Sequence, residues 1–134
     1  MKYAFLLLLL LISCSKKSDT EVFFVNLSNN SKVPATFLVQ FGVRGMEVKP
    51  AGQDIENRHV GHHHILIDNL AGEIPEGQVV PMDAKNIHYG KGQTEGVLEL
   101  SPGKHTLTLQ FADGVHRSYG KKLVKTITVF VGSN

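Results

Sequence analysis

Apolar and polar residues alternate with a period of two along several short stretches of this chain. In "ATFLVQFGV" (35–43), Phe37, Val39, Phe41 and Val43 share one face. In "KHTLTLQFAD" (104–113), His105, Leu107, Leu109 and Phe111 alternate with Thr106, Thr108 and Gln110. "KKLVKTITVFVG" (121–132) sets Val124, Thr126, Thr128 and Phe130 against Leu123, Lys125, Ile127, Val129 and Val131. Such a period marks a strand that buries one face. "EVFFVNL" (21–27), "HHHILIDNL" (62–70) and "GVLELS" (96–101) have the aromatic and β-branched composition of further strands. The 13 glycines and 5 prolines fall mostly between these runs, where turns need them. No long stretch carries a helical period. The pattern predicts an all-β fold, an immunoglobulin-like antiparallel β-sandwich, with Phe37, Phe41, Leu107, Leu109 and Phe111 inside.

The first residues break this pattern. Lys2 precedes an apolar run from Tyr3 to Ile12, too short for a membrane-spanning helix of about 20 residues. A positive start and a short apolar core are the parts of a secretory signal. Its end, "LISC" (11–14), resembles the lipobox of bacterial lipoproteins. That resemblance implies cleavage after residue 13 and acylation of Cys14, the only cysteine. The alternative is a plain secretory signal with an incidental cysteine. The expected organisation is a lipoprotein signal peptide over 1–13, an acylated cysteine and polar tether over 14–21, and one β-domain over 22–134. The chain beyond Cys14 is long enough for one domain with a real core and too short for two. The expected location is the cell envelope, lipid-anchored, with Ser15 favouring the outer membrane and a periplasmic face.

Charge removes one class of partner. The formal net charge is only +2, and no basic stripe or charge block interrupts the chain. Nucleic acid is therefore excluded as a partner. No G-x-S-x-G elbow is present, and the single cysteine lies in the leader, so nucleophilic catalysis has no candidate centre. "YGKGQT" (89–94) places a lysine between two glycines, but the phosphate-loop pattern needs a different spacing and a following helix.

Histidine carries the remaining chemistry. "GHHHILID" (61–68) puts three of the seven histidines in a row. On a strand, His62 and His64 share a face with Cα atoms about 6.6 Å apart, and His63 points the other way. Two neutral imidazoles at that spacing can chelate one metal ion, and imidazole suits zinc, copper, nickel and iron alike. His88 in "IHYGKGQTE" (87–95) and His116 in "DGVH" (113–116) are the expected further ligands, with His59 and His105 also available. Met46, Asp68 and Asp113 are possible additional ligands, or carboxylates that orient an imidazole. The competing reading is structural. His63 shares a face with Ile65 and Ile67 and reads as a core residue with one hydrogen bond. His105 begins an apolar face and reads as an edge residue of a strand. The two long loop-rich stretches, 45–61 and 71–95, are of the length that often carries function.

"FGVRGMEVKPAG", "GHHHILID", "IHYGKGQTE", "LSPGKHTLTLQFADGVHRSYG" and "ITVFV" together resemble the DUF4399 family of small exported bacterial proteins, from about Ala35 to Val131. The resemblance implies a compact exported β-domain and brings no established activity. The residues support two functions. The first is an envelope lipoprotein that binds a transition-metal ion through its histidines. Copper comes first, since the ligand set with Met46 resembles that of small periplasmic copper-handling sandwiches, and zinc second. The second is a non-metal interaction or structural module that meets an envelope protein through the same histidine- and glycine-rich loops. Neither is an enzyme.

Overall fold

The computed structural model describes residues 19–133. The expected leader and Cys14 lie outside the described residues. The strands are β1 (Glu21–Phe24), β2 (Ser31–Val33), β3 (Thr36–Arg44), β4 (Glu47–Val48), β5 (Val60–Ile67), β6 (Asn86–His88), β7 (Glu95–Glu99), β8 (Gly103–Ala112) and β9 (Val124–Val131). One 3-10 turn, Gly120–Leu123, leads into β9.

They form two sheets. The smaller has the order β1-β3-β7 and the larger the order β2-β9-β8-β5-β4, with β6 also paired to β5. The long ladders are antiparallel, as the alternation predicts. Two short edge pairs, β2 with β9 and β4 with β5, run parallel. These edge strands and β6 are two or three residues long, too short to show a period in sequence.

The sandwich core lies where the apolar faces meet. Phe37, Val39 and Phe41 of β3 pack with Ile65 of β5, Leu107, Leu109 and Phe111 of β8, and Ile127, Val129 and Val131 of β9. All five expected core residues are buried.

β5 differs from the other strands because every one of its residues is buried. Its inner face, with His63, Ile65 and Ile67, meets the core. Its outer face, with His62, His64 and Leu66, pairs with Ala112, Gln110 and Thr108 of β8. The segment 69–85 is tied across this outer face. The Ile74 N–H donates to Gln110 Oε1 at 3.2 Å, the Ser118 hydroxyl to the Ile74 carbonyl at 2.7 Å, and the Val80 N–H to the His116 carbonyl at 2.9 Å. A strand covered on both sides has no reason to alternate, and an unbroken run such as "HHHILI" is the result. The long loop therefore serves as a third layer over the histidines.

Candidate metal centre

Three elements bring four imidazoles together. β5 supplies His62 and His64, two residues apart on the outer face, with ring centroids 4.8 Å apart. β6 supplies His88, which stands opposite His64 in the β5–β6 ladder. The turn after β8 supplies His116.

Each placement has a local cause. The Asp83 carboxylate accepts the backbone N–H groups of Lys85 and Asn86 and the Asn86 side-chain amide, and this turn launches β6. After β6 the chain has to be glycine at residue 90, because a Cβ there would fall on the His88 ring. The Tyr89 N–H donates to the His63 carbonyl at 3.0 Å, and its ring packs on Phe41 with centroids 4.6 Å apart, which fixes this corner to the core. Asp113 holds the other turn. Its Oδ1 accepts the N–H groups of Val115 at 3.0 Å and Arg117 at 2.8 Å, and its Oδ2 accepts Arg117 Nε at 2.9 Å. His116 sits in this turn at φ 68°, a left-handed conformation that is uncommon outside glycine.

The result is a compact cluster. The ligand nitrogens of His62, His88 and His116 all lie within 4.8 Å of one another. His88 Nε2 and His116 Nε2 are 3.1 Å apart. His64 lies beside this group, its ring 5.0 Å from that of His88 and 5.9 Å from that of His116. His62 and His64 are fully buried, whereas His88 and His116 are partly exposed. The site is thus a buried floor reached past two rim imidazoles.

Electrostatics keep the floor neutral. Burial pushes His62 down to about 4; repulsion from His88 and His116 adds to this and Asp113 partly offsets it. Burial also takes His64 down to about 2, helped by the neighbouring histidines, and lowers His88, helped by His116. None of the ring nitrogens of His62 and His64 has a hydrogen-bond partner among the described residues. Buried polar atoms are nearly always paired, and the unpaired ring nitrogens of His62 and His64, beside His88 and His116, are free to take a ligand. A neutral imidazole offers one bare nitrogen lone pair, which is the form that binds metal.

The other sequence candidates fall elsewhere. Met46 packs against the core and lines a cleft with Thr20, Arg58, His59, Glu76, Tyr119, Lys122 and Leu123, none of which belongs to the cluster. Asp68 accepts from His105 Nδ1 at 2.8 Å and from the Thr106 N–H at 2.9 Å, so it fixes a strand end far along β5 from His62. His105 is the structural residue expected, with its Nε2 also 2.9 Å from the Ser101 carbonyl. Asp113 orients the His116 turn and is not one of the grouped ligands. His63 is in the core between Phe41 and Phe111, at 4.9 Å from each ring, but the hydrogen bond expected for it is absent among the described residues. Sequence reasoning passed over Gln110, whose amide lies under the covering segment. In sequence it reads as one more polar position of an alternating strand, which gives no sign that it is buried.

A sequence-family model described as a domain of unknown function, DUF4399, matches residues 39–132. The chain belongs to this family. The DUF4399 match takes in β5, β6 and the His116 turn, hence all four clustered histidines, and leaves β1 and β2 outside it. No curated protein and no solved structure matches the chain.

Proposed function

We propose that this chain is a cell-envelope lipoprotein that binds one transition-metal ion through His62, His88 and His116, with His64 alongside. The convergence of three imidazole nitrogens within 4.8 Å carries this reading. The ion is copper(II) first and zinc second. An all-nitrogen donor set suits both, and divalent affinities rise to a maximum at copper and fall again at zinc. Without a thioether in the group, nothing selects the softer cuprous ion. The role is binding, buffering or delivery, without catalysis.

The anchor is diacylglycerol on Cys14, which would hold the domain at the outer membrane facing the periplasm. Among the described residues no helix is long and apolar enough to cross a membrane. Leu70, Val79 and Met82 are exposed on the covering segment. They support contact between that segment and an envelope protein that gives or receives the ion.

The test is titration of copper(II) and zinc into the full-length chain in detergent, with Cys14→Ser removing the thiol. One equivalent should bind with Kd below about 1 μM. Affinity weaker than about 0.1 mM for both metals, or binding undiminished in the His62→Ala/His116→Ala double variant, would overturn the reading.

A further inference from the structure

We propose that a divalent ion in this cluster is held together with a small monovalent anion, which completes its coordination on the rim side. This rests on the metal reading above and makes the site a three-imidazole centre with one exchangeable position.

Two independent features lead there. The first is ligand count. The close group has three nitrogens, from His62, His88 and His116, and His64 stands outside it. Its ring is 5.9 Å from that of His116, the largest separation among the four. Three protein ligands on a four-coordinate ion leave one position for an exogenous group. The rim imidazoles His88 and His116 are the partly exposed ones, so that position is approached from their side.

The second is charge. Three neutral imidazoles bring no negative charge to an ion of charge +2. The floor beneath the ion is fully buried: His62, His64 and Gln110 have no exposure. A charge moved into such surroundings without compensation loses several kcal/mol of hydration. Among the described residues, the carboxylate that acts on His62 is Asp113. Its oxygens are already committed to Val115, Arg117 N and Arg117 Nε, and its charge is paired with that guanidinium. The protein therefore leaves the compensation to a diffusible anion. Hydroxide from bound water and a free anion from the compartment share this chemistry.

Cobalt(II) and azide provide the test, since the visible bands of cobalt report its coordination. The full-length Cys14→Ser chain in detergent is loaded with one equivalent of cobalt(II) and titrated with azide. The bands should shift and saturate at one azide per cobalt. Azide affinity that weakens as pH rises would assign the position to hydroxide, and affinity that does not would assign it to a free anion. Cobalt bands that azide in large excess leaves unmoved would mean a closed site with His64 as the fourth ligand, and would overturn this inference alone. Failure of cobalt, copper(II) and zinc all to bind would overturn the metal reading and this inference with it.

Discussion

His88 Nε2 and His116 Nε2 lie 3.1 Å apart, one on a short strand and the other on a left-handed turn residue. Two imidazole nitrogens on one tetrahedral ion, each about 2.0–2.1 Å from it, are about 3.3 Å apart. The rim pair already has the spacing that one ion requires. The full group of three, spread over as much as 4.8 Å, has to close by about 1.5 Å around the ion. Most of that movement falls to side chains, because the strand positions of His62 and His88 are fixed by their ladders.

His116 tests whether that turn is held open for a ligand. A non-glycine residue in the left-handed region costs about 1 kcal/mol or more. His116→Gly should therefore make the metal-free protein about as stable as wild type or slightly more so, while metal affinity falls by more than the 10–100-fold that loss of a supporting residue brings. Urea unfolding and metal titration of the same variant measure both. A variant with undiminished metal affinity would remove His116 from the site.

Asp113 should act through His116. Asp113→Ala removes three hydrogen bonds to the turn, and stability should drop by about 1–3 kcal/mol. Metal affinity should drop by about 10–100-fold, the usual effect of losing a residue that orients a ligand. Equal affinity in the variant and wild type would show that the turn holds its shape without the carboxylate.

His63 should behave in the opposite way. Its imidazole lies between Phe41 and Phe111 with neither nitrogen paired, and a buried unpaired polar group costs about 1–3 kcal/mol. His63→Leu fills a similar volume without that group. It should raise stability and leave one metal bound, since the side chain points away from His62 and His64. A loss of metal with unchanged stability would place His63 among the ligands.

The acid response of the metal-free protein comes from the same burial. Unfolded histidines titrate near 6.5. In the folded chain burial takes His62 to about 4, His63 to about 3 and His64 to about 2. The unfolded chain then binds more protons throughout that interval. Stability should be fully present above pH 6.5 and fall as pH drops toward 4, by up to about 1.4 kcal/mol per pH unit for each residue. His105 has the other sign. Burial works against its charge, but hydrogen bonds to Asp68 and the Ser101 carbonyl outweigh this and raise it. Its contribution is complete below 6.5 and lost as pH rises through the raised value. Urea midpoints measured between about pH 7 and 4.5 should fall steeply, and more shallowly in His63→Leu. A flat profile would contradict the buried, neutral state of these rings.

The fold was legible where a strand has one wet face. Residues 35–43 and 124–131 alternate because water lies on one side. Residues 104–113 alternate although Thr108 and Gln110 are buried, because those two side chains hydrogen-bond to Thr126 and to the Ile74 and Leu123 backbone. The core residues can be read off that alternation. β5 was legible as a strand by composition but not as a doubly covered one, since nothing local announces that 69–85 will fold over it. The pairing of His62 with His64 comes directly from the two-residue repeat. Bringing in His88 and His116 takes long-range pairing: β6 is three residues long, and the Asp113 turn is set by hydrogen bonds that sequence shows only as "DGVHR". Met46 and Asp68 were drawn in by residue type alone, and the chain spends them on a separate cleft and on His105. His63 was expected to find a hydrogen bond, but the aromatic rings on either side leave it none.

X-ray absorption at the metal edge reads the coordination shell directly. The full-length Cys14→Ser chain, loaded with one equivalent of copper(II) or zinc, should give a shell of nitrogen and oxygen only, near 2.0 Å, with outer scattering from three imidazole rings. His116→Gly should reduce that scattering to two rings. A shell containing sulfur near 2.3 Å, or one without imidazole scattering, would contradict a metal centre built on His62, His88 and His116.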